Sequence, residues 1–183
     1  MEETIPEVVS SRTIYTGKIV TLQVDEIALP QGRTATREIV RHPGAVVMAA
    51  LDSADQIYLV RQYRHAIGRH LLELPAGGLE PDEEPLLAAK RELREEVGLV
   101  ADEWVFLGMF FSTPGFVNER LYAYLARSLT QVPQDPDDDE NLSVVRLPLT
   151  SLLEHLERVP DAKSMATLLL VDRFIRGDRP TTT

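Results

Sequence analysis

Residues 71–99 read LLELPAGGLEPDEEPLLAAKRELREEVGL, and the interpretation of the rest of the chain depends on this stretch. Residues 71–74 predict a short strand, and Pro75 with the two glycines that follow predicts a loop with unusual backbone angles. From Pro85 the apolar residues recur with helical spacing, Asp82 or a neighbour is expected to cap the helix, and Gly98 fits its end. The loop predicted at residues 75–78 would let backbone groups approach a ligand or an ion closely.

The helix carries three glutamates close together. Its predicted core face consists of Leu86, Ala89, Lys90, Leu93 and Val97. Glu92 and Glu96 flank that face, whereas Glu95 points almost opposite. Carboxylates three or four residues apart on a helix are neighbours and repel each other unless a cation is present. An exposed acidic face is the alternative, but we predict a divalent-metal site, with Mg²⁺ preferred over Mn²⁺ by all-oxygen ligands.

Composition narrows the classes of function. The net charge of −10 and the pI near 4.9 argue against a nucleic-acid-binding surface, which would need a basic stripe. The chain has no cysteine, which excludes disulfides, thiolate zinc sites and cysteine nucleophiles. No apolar run is long enough to span a membrane, and the acidic start MEETIPEVV does not resemble a signal peptide. We therefore expect a cytoplasmic protein without nucleic-acid or membrane partners.

Residues 1–40 alternate polar and apolar positions and contain a PQGR turn, so they predict a separate antiparallel β unit. Two or three strands are not stable alone in water. We expect this unit to pack on the main domain, residues 41–178, or on a second subunit, although an edge hairpin without such a role fits equally well. Residues 179–183 are expected to form a flexible tail.

The main domain alternates strand and helix patterns. AVVMAALD, which begins at Ala45, is typical of a strand buried on both faces, and QIYLVRQYR predicts the next strand. Arg61 and Arg64 lie at the end of that strand, where arginine suits phosphate oxygens, although solvated charges are the alternative. Further strands are predicted at residues 104–109, at 121–129 and after the acidic run 135–140, and two helical patterns close the chain.

One motif resembles that of a known family. Nine residues follow the pattern G-x5-E-x7-R-E-L-x-E-E-x-G-L, namely Gly77, Glu83, Arg91, Glu92, Leu93, Glu95, Glu96, Gly98 and Leu99. This pattern resembles the complete Nudix box. The resemblance implies an α+β fold, an α/β/α sandwich in which a mixed β-sheet lies between helices. LVRQYR, LLELPAG and FFSTPGF, which contains Pro114 and Gly115, are similar to segments of ADP-ribose pyrophosphatases, and so is the N-terminal β unit, which those enzymes exchange across a homodimer.

The resemblance also implies roles for individual residues. Glu92 and Glu96 match metal-binding carboxylates, Ala76 matches a position whose carbonyl coordinates metal, and Glu95 matches an additional ligand with a catalytic role. Glu83 and Arg91 match a pair that supports this catalytic site. The residues matched to the substrate are Arg64 for the diphosphate, Arg37 and Glu119 for adenosine or the terminal ribose, and Pro114 and Gly115 in the downstream loop. Glu140 matches the catalytic base, with Asp138 and Asp139 as alternatives.

The function implied is Mg²⁺-dependent hydrolysis of ADP-ribose to AMP and ribose 5-phosphate by a homodimer, with Mn²⁺ or another divalent cation as an alternative cofactor. Hydrolysis of another nucleoside diphosphate sugar is the nearest alternative. A ligand sensor that keeps the fold without turnover is an alternative of another class, which the intact carboxylate cluster disfavours.

Overall fold

The structure is a computed structural model that describes residues 5–135 and 142–177. The chain divides into two compact units. The first consists of Met1–Gly44 and Phe111–Arg120, and the second of Ala45–Phe110 and Leu121–Thr183. The first unit therefore begins with the predicted N-terminal residues and also takes in a segment from the middle of the chain.

The first unit contains a three-stranded antiparallel sheet in the order β1-β2-β3. Its strands are β1 (Val8–Thr16), β2 (Thr21–Leu29) and β3 (Arg33–Arg41). The segment Phe111–Arg120 continues this unit, because Val40 N–H donates to the Phe116 carbonyl at 2.8 Å and the Val40 carbonyl accepts from Asn118 N–H at 3.3 Å. Strand β1 is at the edge and is exposed along its whole length.

The second unit is built on a seven-stranded mixed sheet. Its strands are β4 (Ala45–Leu51), β5 (Gln56–Arg64), β6 (Arg69–Glu73), β7 (Ala76–Gly78), β8 (Leu99–Phe111), β9 (Arg120–Gln131) and β10 (Ser143–Pro148). The order is β10-β5-β4-β9-β8, while β6 pairs with β5 and β7 pairs with β4. Strand β4 runs parallel to β9 and antiparallel to β5 and β7. The helices are α1 (Pro85–Val97), α2 (Leu149–Glu154) and α3 (Ala162–Ile175).

Alternate residues of β4 contribute to two separate cores. Val46, Met48 and Ala50 pack with the buried face of α1, whereas Val47, Ala49 and Leu51 pack with α2 and α3. All seven residues of β4 are buried. The predicted strand with two covered faces and the predicted α/β/α sandwich are therefore both present, since helices cover each side of the sheet.

Three local predictions were wrong. Lys90 is exposed, and the buried face of α1 is instead rotated toward Ala88 and Glu96, because two small alanines let the helix approach the sheet closely. The predicted loop at residues 75–78 contains strand β7, in which neither glycine has a positive φ. The helix begins after Glu84, whose side chain makes no capping bond, so the predicted cap by Asp82 or a neighbour is absent. The helix ends as predicted at left-handed Gly98. No helix within the described residues is long and apolar enough to cross a membrane.

Gly98→Ala tests the helix end. Gly98 has φ of 70°, and a Cβ there would lie 2.8 Å from the Val132 carbonyl oxygen. We expect the free energy of unfolding in a denaturant titration to fall by roughly 1–2 kcal/mol for the left-handed conformation, and by about 1–3 kcal/mol more for the clash. Gly68→Ala is the matched control, because Gly68 has φ of 66° but no atom within 4 Å of the added carbon. Equal losses in the two variants would contradict the clash.

Candidate active site

Strand β7 lies beside the buried carboxylate of helix α1. Ala76 pairs with Val47 of β4, and its backbone N–H donates to Glu96 Oε2 at 3.0 Å. Glu96 is only 2% exposed, although it is a charged residue. Burying a carboxylate is costly unless it is hydrogen-bonded or paired with a cation. The sheet therefore holds the peptide of Ala76 and the carboxylate of Glu96 together.

Position 77 requires glycine because the Glu92 carboxylate lies directly against its backbone. A Cβ on Gly77 would lie 1.8 Å from Glu92 Cδ and 2.0 Å from Glu92 Oε1, distances that no real side chain can adopt. A Cβ on Gly78 would meet nothing within 4 Å. The first glycine of the motif thus lets the Glu92 carboxylate pack directly on the backbone of β7, and this reason differs from the unusual backbone angles that the sequence suggested.

Arg91 bonds three of the clustered carboxylates. Its Nε and Nη2 donate to the two oxygens of Glu83 at 3.0 and 2.9 Å, a bidentate pair. Nη1 donates to Glu92 Oε1 at 2.7 Å and to Glu95 Oε2 at 3.0 Å. Nη2 also donates to the Gly78 carbonyl at 3.2 Å. A guanidinium has five N–H donors, so every donor of Arg91 has an acceptor.

These contacts perturb the acid–base behaviour of the pair. The hydrogen bond from Arg91 lowers the pKa of Glu83, and the same bond raises the pKa of Arg91 above its ordinary value. Glu83 stays ionised and Arg91 stays charged at neutral pH as a result. The arginine therefore offsets part of the repulsion among the carboxylates on α1 over the whole physiological range.

The donor set fits a hard divalent cation. Glu92 and Glu96 present carboxylate oxygens beside the backbone of Ala76 and Gly77, and the chain contains no thiolate to favour a softer metal. Within residues 5–135 and 142–177 no group of three or more acidic or histidine side chains is placed to hold an ion by itself. Mg²⁺ is ordinarily bound by one or two carboxylates, with waters and substrate phosphates completing its shell, so two carboxylates suit it.

Arg64 lies in the same unit, at the end of β5. Its Nε and Nη2 donate to the two oxygens of Glu73, each at 2.8 Å. The Arg64 side chain is 39% exposed, while that of Glu73 is 1% exposed. Lys163, at the start of α3, also bonds Glu73. The predicted diphosphate-binding arginine is therefore anchored at one edge by a buried carboxylate.

Three predicted substrate residues line one cavity in the first unit. Arg37, Pro114 and Gly115 border a volume of about 450 Å³, which lies in the range of small-molecule sites. The other residues that line it are Glu38, Ile39, Arg41, Phe111, Val117 and Asn118. Glu119 belongs to the same unit but does not line the cavity. Its carboxylate is 3.6 Å from His42 Nδ1, a nitrogen that accepts from Gly44 N–H and therefore does not donate to Glu119 in this arrangement.

The three candidates for the catalytic base, Glu140, Asp139 and Asp138, lie outside the described residues. The chain that precedes them is tied to the end of α1. Val132 N–H donates to the Gly98 carbonyl at 2.9 Å, and the Gln134 side-chain amide donates to the Glu96 carbonyl.

The sequence interpretation missed several residues of these sites. Arg41 and Phe111 line the cavity, and Glu73 and Lys163 form the ion pairs around Arg64. A charged residue inside LLELP, where the neighbours are apolar, was the available signal for Glu73. Lys163 gave no comparable signal, because it stands at the start of a helix where lysine is commonplace.

Comparison with known proteins gives two family matches. The model of the NUDIX domain matches residues 40–169, and the model of the nucleoside diphosphate sugar hydrolase N-terminal domain matches residues 7–40.

Several curated proteins are similar over most of their length. A methanol dehydrogenase activator of Bacillus methanolicus is 37% identical over 86% of this chain and 87% of its own. The ADP-ribose pyrophosphatase of Bacillus subtilis (strain 168) is 37% identical over 85% of this chain and 86% of its own. The ADP-ribose pyrophosphatase of Mycobacterium tuberculosis (strain ATCC 25618 / H37Rv) is 40% identical over 87% of this chain and 79% of its own.

Among solved structures, the crystal structure of an ADP compounds hydrolase superposes with a TM-score of 0.83. It covers 96% of both chains at 24% sequence identity. At this identity the likeness establishes the fold alone, and it agrees with the mixed sheet and flanking helices.

Gly77→Ala tests whether the contact between β7 and Glu92 forms the ion site. The added carbon must displace the Glu92 carboxylate, so we expect the affinity for Mn²⁺, measured by calorimetry, to fall by roughly 10- to 100-fold. Gly78→Ala is the matched control and should change the affinity less than about threefold, because its added carbon meets nothing. A similar loss in both variants would show that the contact with Glu92 does not matter.

Glu83→Gln tests the depressed pKa of Glu83. A carboxylate whose pKa is lower in the folded state adds stability above its unfolded pKa of about 4.3 and loses it as the pH falls through the folded value. We expect the difference in unfolding free energy between wild type and variant to be largest above about pH 5 and to shrink toward pH 3. Glu84→Gln, which removes an exposed carboxylate with no ion pair in the described chain, is the matched control for the loss of one negative charge. A difference for Glu83→Gln that does not shrink between pH 5 and pH 3 would contradict the effect of the Arg91 hydrogen bond.

Proposed function

The chain belongs to the NUDIX-domain family, and we propose that it hydrolyses the diphosphate bond of ADP-ribose to AMP and ribose 5-phosphate. Two relatives that match most of the chain are named ADP-ribose pyrophosphatases, which supports this substrate. The match of residues 7–40 to an N-terminal domain of nucleoside diphosphate sugar hydrolases supports the same class of substrate.

The observation that carries the proposal is the packing of two α1 carboxylates against strand β7. Glu96 accepts a hydrogen bond from the Ala76 backbone, and Glu92 occupies the space where a side chain on Gly77 would stand. This arrangement concentrates negative charge on oxygen atoms at one place on a rigid strand and helix. A pure binding protein for an anionic ligand would gain nothing from such a concentration, because it would repel the ligand unless a cation intervened.

Hydrolases of this family generally need a divalent cation, and we assign Mg²⁺ to Glu92, Glu96 and the Ala76 carbonyl, with Glu95 as an additional ligand and Mn²⁺ as a substitute. When bound, the cation neutralises phosphate charge, favours ionisation of water and orients the diphosphate. Arg91 supports this site because its Nη1 donates hydrogen bonds to Glu92 Oε1 at 2.7 Å and to Glu95 Oε2 at 3.0 Å.

The remaining steps are assigned to side chains of this protein. Arg64 binds diphosphate oxygens and offsets the charge that develops on them. A carboxylate, with Glu140 proposed before Asp139 or Asp138, takes the proton of the attacking water. The water oxygen forms a bond to one phosphorus while the bridging P–O bond breaks, and the leaving phosphate takes the bonding electrons.

Arg37, Pro114 and Gly115 are retained as substrate contacts on the basis of the family resemblance. They line the cavity of about 450 Å³ in the first unit, which offers cationic, aromatic and amide groups. Glu119 is retained as a contact for adenosine or the terminal ribose, on the basis of the family resemblance.

Two alternatives remain open to the same assay. The first is hydrolysis of another nucleoside diphosphate sugar, which the match of residues 7–40 to the nucleoside diphosphate sugar hydrolase N-terminal domain supports. A regulatory role without turnover is the second, since one relative is named an activator of methanol dehydrogenase.

The homodimer and the cytoplasmic location stay predictions. The exposed apolar residues Val8, Val9 and Ile14 on the edge strand β1 support an interface between copies.

The test is a panel of nucleotides assayed with Mg²⁺, with the products resolved by chromatography. ADP-ribose should give AMP and ribose 5-phosphate with a higher kcat/KM than UDP-glucose, GDP-mannose or ATP. Glu92→Gln and Glu96→Gln should each lower kcat/KM by roughly 100-fold or more, because they remove charge that acts on the transition state.

The matched control is Glu84→Gln, which removes an exposed carboxylate at the start of the same helix and should leave kcat/KM within about twofold. Preference for another nucleotide sugar would establish the first alternative. Preference for ATP, or no metal-dependent turnover of any diphosphate, would overturn the proposal.

A further inference from the structure

Glu73 is a buried carboxylate to which the mechanism above gives no role. Its side chain is 1% exposed, at the end of β6. Burial by itself would raise the pKa of Glu73, but the hydrogen bonds from Arg64 and the charge of Lys163 outweigh it and lower the pKa. Glu73 is therefore an anion inside the protein, held between two cations.

The contact with Arg64 has a specific geometry. Glu73 accepts from Nε and Nη2 of Arg64, both at 2.8 Å, which is the bidentate arrangement that fixes the plane of a guanidinium. These two bonds use one edge of the group. Three of its five N–H donors remain, two on Nη1 and one on Nη2, and none of them has an acceptor among residues 5–135 and 142–177.

A second cation, the ammonium of Lys163, balances the charge of Glu73 and shares its Oε2 with Arg64 Nη2. Lys163 bonds Glu73 Oε2 and also donates to Asp161 Oδ2 at 2.7 Å. Asp161 in turn caps helix α3, since it accepts from Ser164 N–H at 3.0 Å. The anchor of Arg64 is thus part of a network fixed to the first turn of a helix, whereas the Arg64 side chain as a whole stays 39% exposed.

We propose that Glu73 is a positioning residue, which orients Arg64 so that the three remaining N–H donors are presented to the diphosphate of the substrate. A free arginine side chain samples many rotamers, and ordering such a side chain on binding costs conformational entropy. In this protein the hydrogen bonds to Glu73 already order the Arg64 side chain in the folded state, before the substrate binds. The inference rests on the proposed function in one respect, namely that Arg64 contacts the diphosphate.

A double-mutant cycle tests this role. Glu73→Gln, Arg64→Ala and the double variant are compared with the wild type by calorimetric titration with inorganic pyrophosphate in the absence of divalent cations, and by KM and kcat for ADP-ribose with Mg²⁺. We expect Glu73→Gln to raise the Kd and the KM about tenfold, and kcat to fall as well, because Arg64 also offsets the charge that develops on the diphosphate in the transition state. In the Arg64→Ala background, Glu73→Gln should change the Kd less than about twofold, since the residue through which it acts is gone.

Lys163→Met is the matched control for loss of a charge from the same network. It should lower the melting temperature, yet leave the Kd within about threefold, because both hydrogen bonds between Arg64 and Glu73 remain. If Glu73→Gln does not fold, Glu73→Asp retains the charge beside Lys163 but withdraws the acceptor by one methylene, and it should raise the Kd in the same way.

The outcomes separate the two proposals. Equal effects of Glu73→Gln in the wild-type and Arg64→Ala backgrounds, or no effect on the Kd, would overturn the positioning role. The pyrophosphate titration does not depend on turnover, so the role of Glu73 can hold even if ADP-ribose proves not to be the substrate. Conversely, ADP-ribose hydrolysis that is unaffected by Glu73→Gln would leave the proposed function intact and remove this inference.

Discussion

The guanidinium of Arg91 makes the crowding of carboxylates on α1 compatible with a stable fold. Without it, Glu92 and Glu95, three residues apart on the helix, would repel each other, and Glu83, which precedes the helix, would add a third negative charge beside them. Each of its five donors has an acceptor, and the fifth acceptor is the carbonyl of Gly78. The same group therefore joins the helix to strand β7. Because the pair with Glu83 keeps Arg91 charged, this junction does not depend on pH near neutrality.

Much of the fold was predictable because its signals are local. Strand β4 reads as a continuous apolar run, and α1 begins with Pro85 and ends at Gly98, as helix-end chemistry requires. The orientation of α1 was less predictable, since periodicity counts Lys90 as well as Leu93 toward one face. The close packing of Ala88 on the sheet sets which face of α1 is buried, and that contact depends on tertiary structure rather than on spacing.

The site shows the same division. Residues of the motif lie within a short stretch, so their proximity follows from one strand, one turn and one helix, and the pairing of Arg91 with Glu83 is of this kind. Glu73 and Lys163 are 90 residues apart in sequence, and only the packing of α3 against the sheet brings them together. The sequence pointed to Gly77 because glycine permits unusual backbone angles. The structure instead requires glycine there because the Glu92 carboxylate packs against its backbone, a contact that backbone preferences do not reveal.

Strand β4 has neighbours along both edges and a helical layer on each face. Its amide hydrogens can reach solvent only when the whole second unit opens, so their exchange with deuterium would report the global free energy of unfolding. Strand β1, exposed throughout and paired on one side, would exchange through local opening at much lower free energy. The chain thus contains one strand covered on both faces and paired on both edges and another that is exposed along its length, and isotope exchange would distinguish the two.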